Sequence, residues 1–238
     1  GEYDVDIPEK RVLLARARWE NAENTITYDA KKHGLQLQVR TDANADWQNV
    51  SVDQNGAFSV TIGDDQFTGT VYHKADDKEK ADNKEGTNEI AGLPDTKSNA
   101  GTYTDSLRIA SDNYEVSWEG QTEGEYVKAE YTIEKKSIAV AVKAEQKDVP
   151  EYTGEEKTIE FNFVANLNEE EELNSDLQHE VEDEVLKGVA DYCWNAYAED
   201  PLKGTDAGEY SYDANAMVGH VREKIDGGFN DYAVTVDI

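Results

Sequence analysis

Period-two alternation of apolar and polar positions dominates the chain. Ser137–Ala144 reads SIAVAVKA, the pattern of a strand with one buried face. Before it, Tyr131–Lys136 (YTIEKK) reads as a closing strand that runs straight into a joint. After Pro150 and a turn at Tyr152-Thr153-Gly154, Thr158–Phe163 (TIEFNF) alternates again. Earlier in the chain, Leu35–Arg40 is a strand and Thr41–Trp47 a polar loop. Asn49–Asp53 and Ala57–Ile62 flank Gln54-Asn55-Gly56 and predict a hairpin, because Asn-Gly accepts the positive φ of a tight turn. Thr68–His73, Thr102–Ile109, Tyr114–Trp118 and Tyr126–Ile133 complete the strand set. Lys74–Asn88 has no apolar face and predicts a long mobile loop.

One stretch has a helical period instead. Leu177, Val181, Val185, Val189, Tyr192, Cys193 and Ala196 recur at spacings of three and four, forming one apolar face. Asn174-Ser175 offers an N-cap, with Gln178 placed as in a capping box. Acids at 176, 180, 182, 183 and 184 sit early, where the helix dipole favours them, and Asp200-Pro201 supplies a stop. The pattern predicts one amphipathic helix over about 176–198. The expected class is mostly β (α+β), in two tandem β-rich domains. The first half reads as an Ig-like sandwich. The second has the order strand, strand, helix, strand, strand, which suits a β-grasp-like fold, a sandwich with a helical insertion being the alternative.

The two halves share spaced anchors. Ile7-Pro8-Glu9-Lys10 lines up with Ile133-Glu134-Lys135-Lys136, and Arg11–Ala17 with Ser137–Lys143. The spacing from Lys10 to Lys136 is 126 residues, and from Tyr28 to Tyr152 it is 124. Asn99-Ala100-Gly101-Thr102-Tyr103 answers to Asp206-Ala207-Gly208-Glu209-Tyr210, and Asp112-Asn113-Tyr114 to Asn230-Asp231-Tyr232. In each half an Ala-Gly turn is expected to feed a strand, with a second Tyr-containing strand after it. Two anchors at nearly one spacing argue for an internal repeat. The expected division is residues 1–7 as the end of a preceding repeat or linker, 8–136 as a first module and 137–238 as a second.

The ordered anchors Tyr-(Asp/Thr), (Asp/Asn)-Ala-Gly-x-Tyr, (Asp/Asn)-Tyr and Tyr-Thr-Ile-x-Lys-Lys resemble the tandem MBG-type (YDG-like) modules of bacterial cell-surface proteins. Ala30 stands where that family usually has Gly, and the helix of the second half departs from a plain all-strand module. The resemblance implies a non-enzymatic, extracellular, cell-surface or cell-wall-attached protein. It implies a stalk or adhesion role, contact with neighbouring repeats of the same chain, and host glycans or proteins as partners.

Composition narrows the chemistry. Among 238 residues, 52 acidic side chains face 23 basic ones, a net charge of −29 that repels phosphate backbones and anionic membranes; no nucleic-acid partner is expected. Lys outnumbers Arg 17 to 6, unlike the lysine-poor surfaces of halophiles. No apolar run is long enough to insert in a membrane. The lone Cys193 cannot form a disulfide within the chain and reads as a buried thiol on the helix face. His33, His73, His179 and His220 have no metal-ligand spacing. Asp42–Asp53 faintly echoes a calcium loop, but Trp47 replaces its turn glycine and Asp53 its bidentate Glu, so a polar turn is expected. No cofactor and no catalytic residue is assigned. The matched tyrosines read as packing. Trp47 and Trp118 lack counterparts in the second half and are the candidate ligand contacts. An isopeptide bond, which some surface modules carry, needs an inward Lys beside an acid or amide.

Overall fold

A computed structural model describes residues 3, 10–19, 24–82, 88–167, 175–193, 203–225 and 228–238. The chain forms two compact units, Gly1–Glu134 and Lys135–Ile238. The described residues are mostly β, with three helices. No described helix is long and apolar enough to cross a membrane.

The first unit contains β1 (Arg11–Trp19), β2 (Thr25–Thr27), β3 (Leu35–Arg40), β4 (Gln48–Val50), β5 (Ala57–Ile62), β6 (Asp65–Lys74), α1 (Asp77–Asp82), β7 (Glu89–Ala91), β8 (Gly101–Ala110), β9 (Tyr114–Trp118), β10 (Thr122–Glu123) and β11 (Tyr126–Glu134). One sheet has the order β4-β3-β1-β9, the other β10-β11-β8-β6-β5, with β2 on β11 and β7 on β6. Alternation sends Leu13, Ala15, Leu37 and Val39 inward from the first sheet to meet Phe58, Val60, Phe67 and Val71 of the second. A second cluster, Trp19, Leu35, Leu107, Val127, Tyr131 and Ile133, closes the other end of the sandwich. Each fully buried side chain of this size contributes about 1.5–3 kcal/mol relative to exposure.

Two expectations are corrected here. Asn55-Gly56 does not close a hairpin: β4 pairs with β3, and β5 pairs with β6 across Gly63-Asp64. Asp53 Oδ1 accepts the amides of Asn55 and Ala57 at 2.8 and 2.9 Å, and the turn carries the chain from one sheet to the other. Gly56 is required there, since its φ is 79° and a Cβ would lie 2.4 Å from the Val71 carbonyl oxygen. The polar run after β6 is not all loop either. α1 forms because Asp76 and Glu79 cap each other, Glu79 N to Asp76 Oδ1 at 2.7 Å and Asp76 N to Glu79 Oε1 at 3.2 Å. Glu79 also reaches Nε2 of the buried His73 at 2.7 Å, while His73 Nδ1 meets the Gly92 carbonyl at 2.8 Å. Residues 83–87 of that run lie outside the described set.

The second unit contains β12 (Lys136–Gln146), β13 (Lys157–Thr158), β14 (Phe161–Leu167), α2 (Ser175–Asp191), β15 (Lys203–Gly204), α3 (Ala214–Ile225) and β16 (Tyr232–Asp237). Its main sheet is β14-β12-β16, and β13 pairs with β15. Ile138, Val140 and Val142 face Val181, Val185 and Val189 of α2 and Met217, Val221 and Ile225 of α3. Three expectations change. The strand expected over Thr158–Phe163 is two pieces, β13 and β14. The strand expected at Tyr210 is absent, and a second helix follows instead. Asp213 caps α3, its Oδ1 accepting Ala216 N at 3.1 Å, and Met217, Val221 and Ile225 turn one buried stripe to the sheet. The described residues of the unit therefore form two helices, not one. α2 is described to Asp191, with Tyr192 and Cys193 continuing it; Asn174, Ala196 and the Asp200-Pro201 stop lie outside the described residues. Of the expected leading segment 1–7, only Tyr3 is described.

Some of the positions paired in the sequence share local features in the two units. β1 lies between antiparallel β3 and parallel β9; β12 lies between antiparallel β14 and parallel β16. Ala30 and Gly154, each two residues after a matched tyrosine, both have left-handed φ, 63° and 78°. His33 bridges Lys97 in antiparallel fashion, as Lys157 does Gly204, and each bridge joins the residue five after one matched tyrosine to the residue six before the other. Tyr103 Oη donates to the Asn99 carbonyl at 2.6 Å, and Tyr210 Oη donates to the Asp206 carbonyl at 2.8 Å, four residues back in both.

Candidate functional site

In the second unit, the segments 146–161 and 204–211 border a groove of about 810 Å³. That is within the range of ligand sites. The two segments are joined by the β13–β15 pair, Lys157 with Gly204 and Thr158 with Lys203. Gly154, in its left-handed conformation, reverses the chain after Tyr152, whose side chain is left 70% exposed at the groove. Its counterpart Tyr28 is half-buried against the cluster of Trp19, Leu35 and Tyr131. On the opposite wall the Tyr210 ring occupies the space over Gly204, where a Cβ would lie 2.1 Å from Tyr210 Cζ. The matched position in the first unit is Lys97, which holds its Nζ 5.7 Å from the Tyr103 ring. Phe161 is a further lining aromatic, 6.1 Å from Tyr212.

Charge differs more than shape. Glu151, Glu155, Asp206 and Glu209 line the groove, with Lys157 as its basic residue. The matched positions in the first unit are Thr27, Lys31, Asn99 and Thr102. One cation has given way to four carboxylates around an exposed tyrosine. The arrangement offers an aromatic surface for stacking and acceptors around it. Among the described residues, no group of three His, Cys, Asp or Glu is placed to hold a metal ion.

The structure does not unite the two tryptophans. Trp47 lies between the guanidinium groups of Arg16 and Arg40, at 4.4 and 4.1 Å from its ring. Alternation along β1 and β3 puts those arginines on the sheet face away from the core, so Trp47 covers stacked cations rather than a cavity. Arg16 also donates from Nε to Gln38 at 2.8 Å, and Arg16 and Arg18 pair with Glu119 at 3.4 and 3.7 Å. Burial, then the neighbouring Arg18 charge, lowers the Arg16 pKa from its ordinary value. Trp118 ends β9 opposite Ala15 and packs half-buried against both hydrophobic clusters. It borders a cavity of about 530 Å³ that Trp47 does not line.

Sequence reasoning also passed over a polar network in the first unit. Arg108 donates from Nε and Nη2 to Glu89 at 2.7 and 2.5 Å, and Tyr126 Oη donates to the same carboxylate. Arg108 above all holds the Glu89 carboxyl down at about 2, against the opposing effect of burial. Nearby, Tyr131 Oη donates to Asp105; burial pushes the Asp105 carboxyl up and raises the Tyr131 phenol. These contacts join strands to strands. Cys193 is buried, and burial pushes its thiol up, away from the reactive thiolate. Asp42 closes its own turn by accepting Asn44 N at 2.8 Å. The pairs Lys187–Glu184 at 2.8 Å and Lys147–Glu160 at 3.4 Å are solvent-facing ion pairs rather than the inward pairs an isopeptide needs.

Comparison with family models, curated proteins and solved structures finds no match.

Proposed function

We propose that the chain is a non-enzymatic stretch of a bacterial cell-surface protein, two β-rich modules of a tandem array that serve as an extracellular stalk or adhesion segment. The observation that carries this reading is the coincidence of the paired anchors with paired geometry. The bridge His33–Lys97 and the bridge Lys157–Gly204 occupy corresponding positions, as do the two left-handed turns and the two tyrosine-to-carbonyl bonds. A duplicated module accounts for all three at once. Each unit has its own hydrophobic clusters, and only Lys135 separates β11 from β12. The mechanism is mechanical: modules that fold individually, strung in series, with like charge keeping the array extended and dispersed. Expressing 8–134 and 135–238 separately tests this. Each fragment is expected to unfold cooperatively on its own, and failure of both to fold alone refutes the modular reading.

A second reading assigns the adhesive part of this role to the second unit as a binding module for a host glycan or protein. The groove with its exposed Tyr152 favours it, because the matched tyrosine of the first unit is half-buried against a hydrophobic cluster. A glycan array and a peptide array probed with the intact chain test it; a saturable hit lost in Tyr152→Ala supports the reading, and silence on both arrays removes it.

A further inference from the structure

We propose that the groove of the second unit receives an extended cationic polypeptide, a short Lys- or Arg-bearing stretch of a partner protein laid across Tyr152 and between the acidic walls. This rests on the reading of the second unit as a binding module and names its ligand class.

The argument is a comparison inside one molecule. Both units share the left-handed turn, the bridge and the tyrosine-to-carbonyl bond, so the side chains set around that frame can be compared position by position. At four matched positions the second unit exchanges Thr27, Lys31, Asn99 and Thr102 for Glu151, Glu155, Asp206 and Glu209. These four carboxylates outnumber the one lysine of the groove lining, Lys157, and a cationic ligand complements that excess. Tyr152 is exposed where its counterpart is packed, which forgoes apolar burial and leaves a ring face free. A guanidinium or ammonium over a tyrosine face, with carboxylates around it, satisfies both features together. Val149, 84% exposed beside Pro150 on the same wall, offers contact to the aliphatic stem of such a side chain.

Other ligands fit less well. A neutral glycan could stack on Tyr152 and donate its hydroxyls to the carboxylates, but it would leave their charge uncompensated. An anion is repelled. A bare divalent cation lacks a converging ligand set among the described residues. The groove volume of about 810 Å³ exceeds what one side chain fills, which is why a stretch of chain rather than a single amine is assigned.

The test must separate this site from the general attraction of a chain of net charge −29 for any polycation. Fluorescence anisotropy with a labelled Lys-rich decapeptide is measured against the intact protein, in parallel with neutral oligosaccharides. Tyr152→Ala leaves the charge unchanged and is expected to weaken peptide binding roughly tenfold. Glu151→Gln/Glu155→Gln/Glu209→Gln is expected to weaken it further. A control triple on exposed acids of the first unit, Glu115→Gln/Glu125→Gln/Glu130→Gln, removes as much charge and is expected to change affinity less than twofold. Circular dichroism checks that each variant is folded, and Tyr152→Phe, which keeps the ring, is expected to restore binding. Equal losses in the two triples, or an unaffected Tyr152→Ala, overturn the proposal. Saturable binding of a neutral oligosaccharide that Tyr152→Ala abolishes overturns the cationic ligand while keeping the groove as a site. Binding of neither probe overturns both.

Discussion

Ala30 offers the sharpest test of the paired turns. It is the one described non-glycine residue with positive φ, at 63°, and its counterpart Gly154 has 78°. An L-residue in the left-handed region costs about 1–2 kcal/mol through the contact of Cβ with the carbonyl oxygen. Replacing it by glycine removes that strain but widens the unfolded ensemble, which costs about 0.4–1 kcal/mol. Ala30 is exposed, so no buried contact is lost. The turn is held independently, since Asp29 Oδ1 accepts Lys31 N at 2.9 Å and pairs with His33 Nε2 at 2.8 Å. Ala30→Gly should therefore stabilise the first unit by about 0.5–1 kcal/mol, a rise in Tm of about 2–4 °C for a unit of this size. Gly154→Ala should do the reverse in the second unit, by about 1 kcal/mol. A Cβ at Gly154 would come no closer than 4.0 Å to its nearest neighbour, Tyr152 Oη, so the penalty comes from the backbone alone. Urea unfolding of both variants, with m-values unchanged, is the assay. The reasoning fails should Ala30→Gly lower stability or Gly154→Ala raise it.

Other expectations concern the polar network and the groove. Glu89 has an ordinary pKa of 4.5 and is held at about 2 when folded, so its stabilising effect is complete above pH 4.5 and is lost as pH falls from there to about 2. Glu89→Gln should cost about 1–2 kcal/mol at neutral pH, with the gap from wild type narrowing across that window in a series of unfolding curves. Tyr131→Phe keeps the ring packing with Trp19 and Tyr103 but strands the Asp105 carboxyl, for a loss of about 1–3 kcal/mol by chemical denaturation. Gly204→Ala places a methyl inside the Tyr210 ring and should cost about 1–3 kcal/mol, with Tyr210 ring resonances shifted in an NMR spectrum.

The strands were largely legible, because a buried face every second residue leaves a mark such as Leu35-Gln36-Leu37-Gln38-Val39 that tertiary context rarely overrides. Turn chemistry was less so. Asn55-Gly56 signals a reversal of the chain, but whether the next strand pairs with the last or crosses to the facing sheet depends on the side chains beneath, here Val50 and Phe58 on opposite walls of one core. α3 has its cap and stripe in Asp213, Met217, Val221 and Ile225, but the match of Tyr210 to Tyr103 points to a strand there instead. α1 escaped because it buries none of its residues and announces itself only by Asp76 and Glu79. The groove is not legible from the sequence alone. Tyr28 and Tyr152 look alike in sequence, and their difference is set by what packs around them. The exchange of Lys31 for Glu155 was visible, but its meaning required knowing that the two loops face each other.

The pairing of β12 with β16 has a consequence for a chain under load. The first and last strands of the unit run parallel, in register from Lys136 with Tyr232 to Ala141 with Asp237. Pulling on the incoming and outgoing ends drags these two strands past each other lengthwise. All the rungs between them are then strained together instead of opening one by one from an end, which is the loading geometry in which a few hydrogen bonds resist the most force.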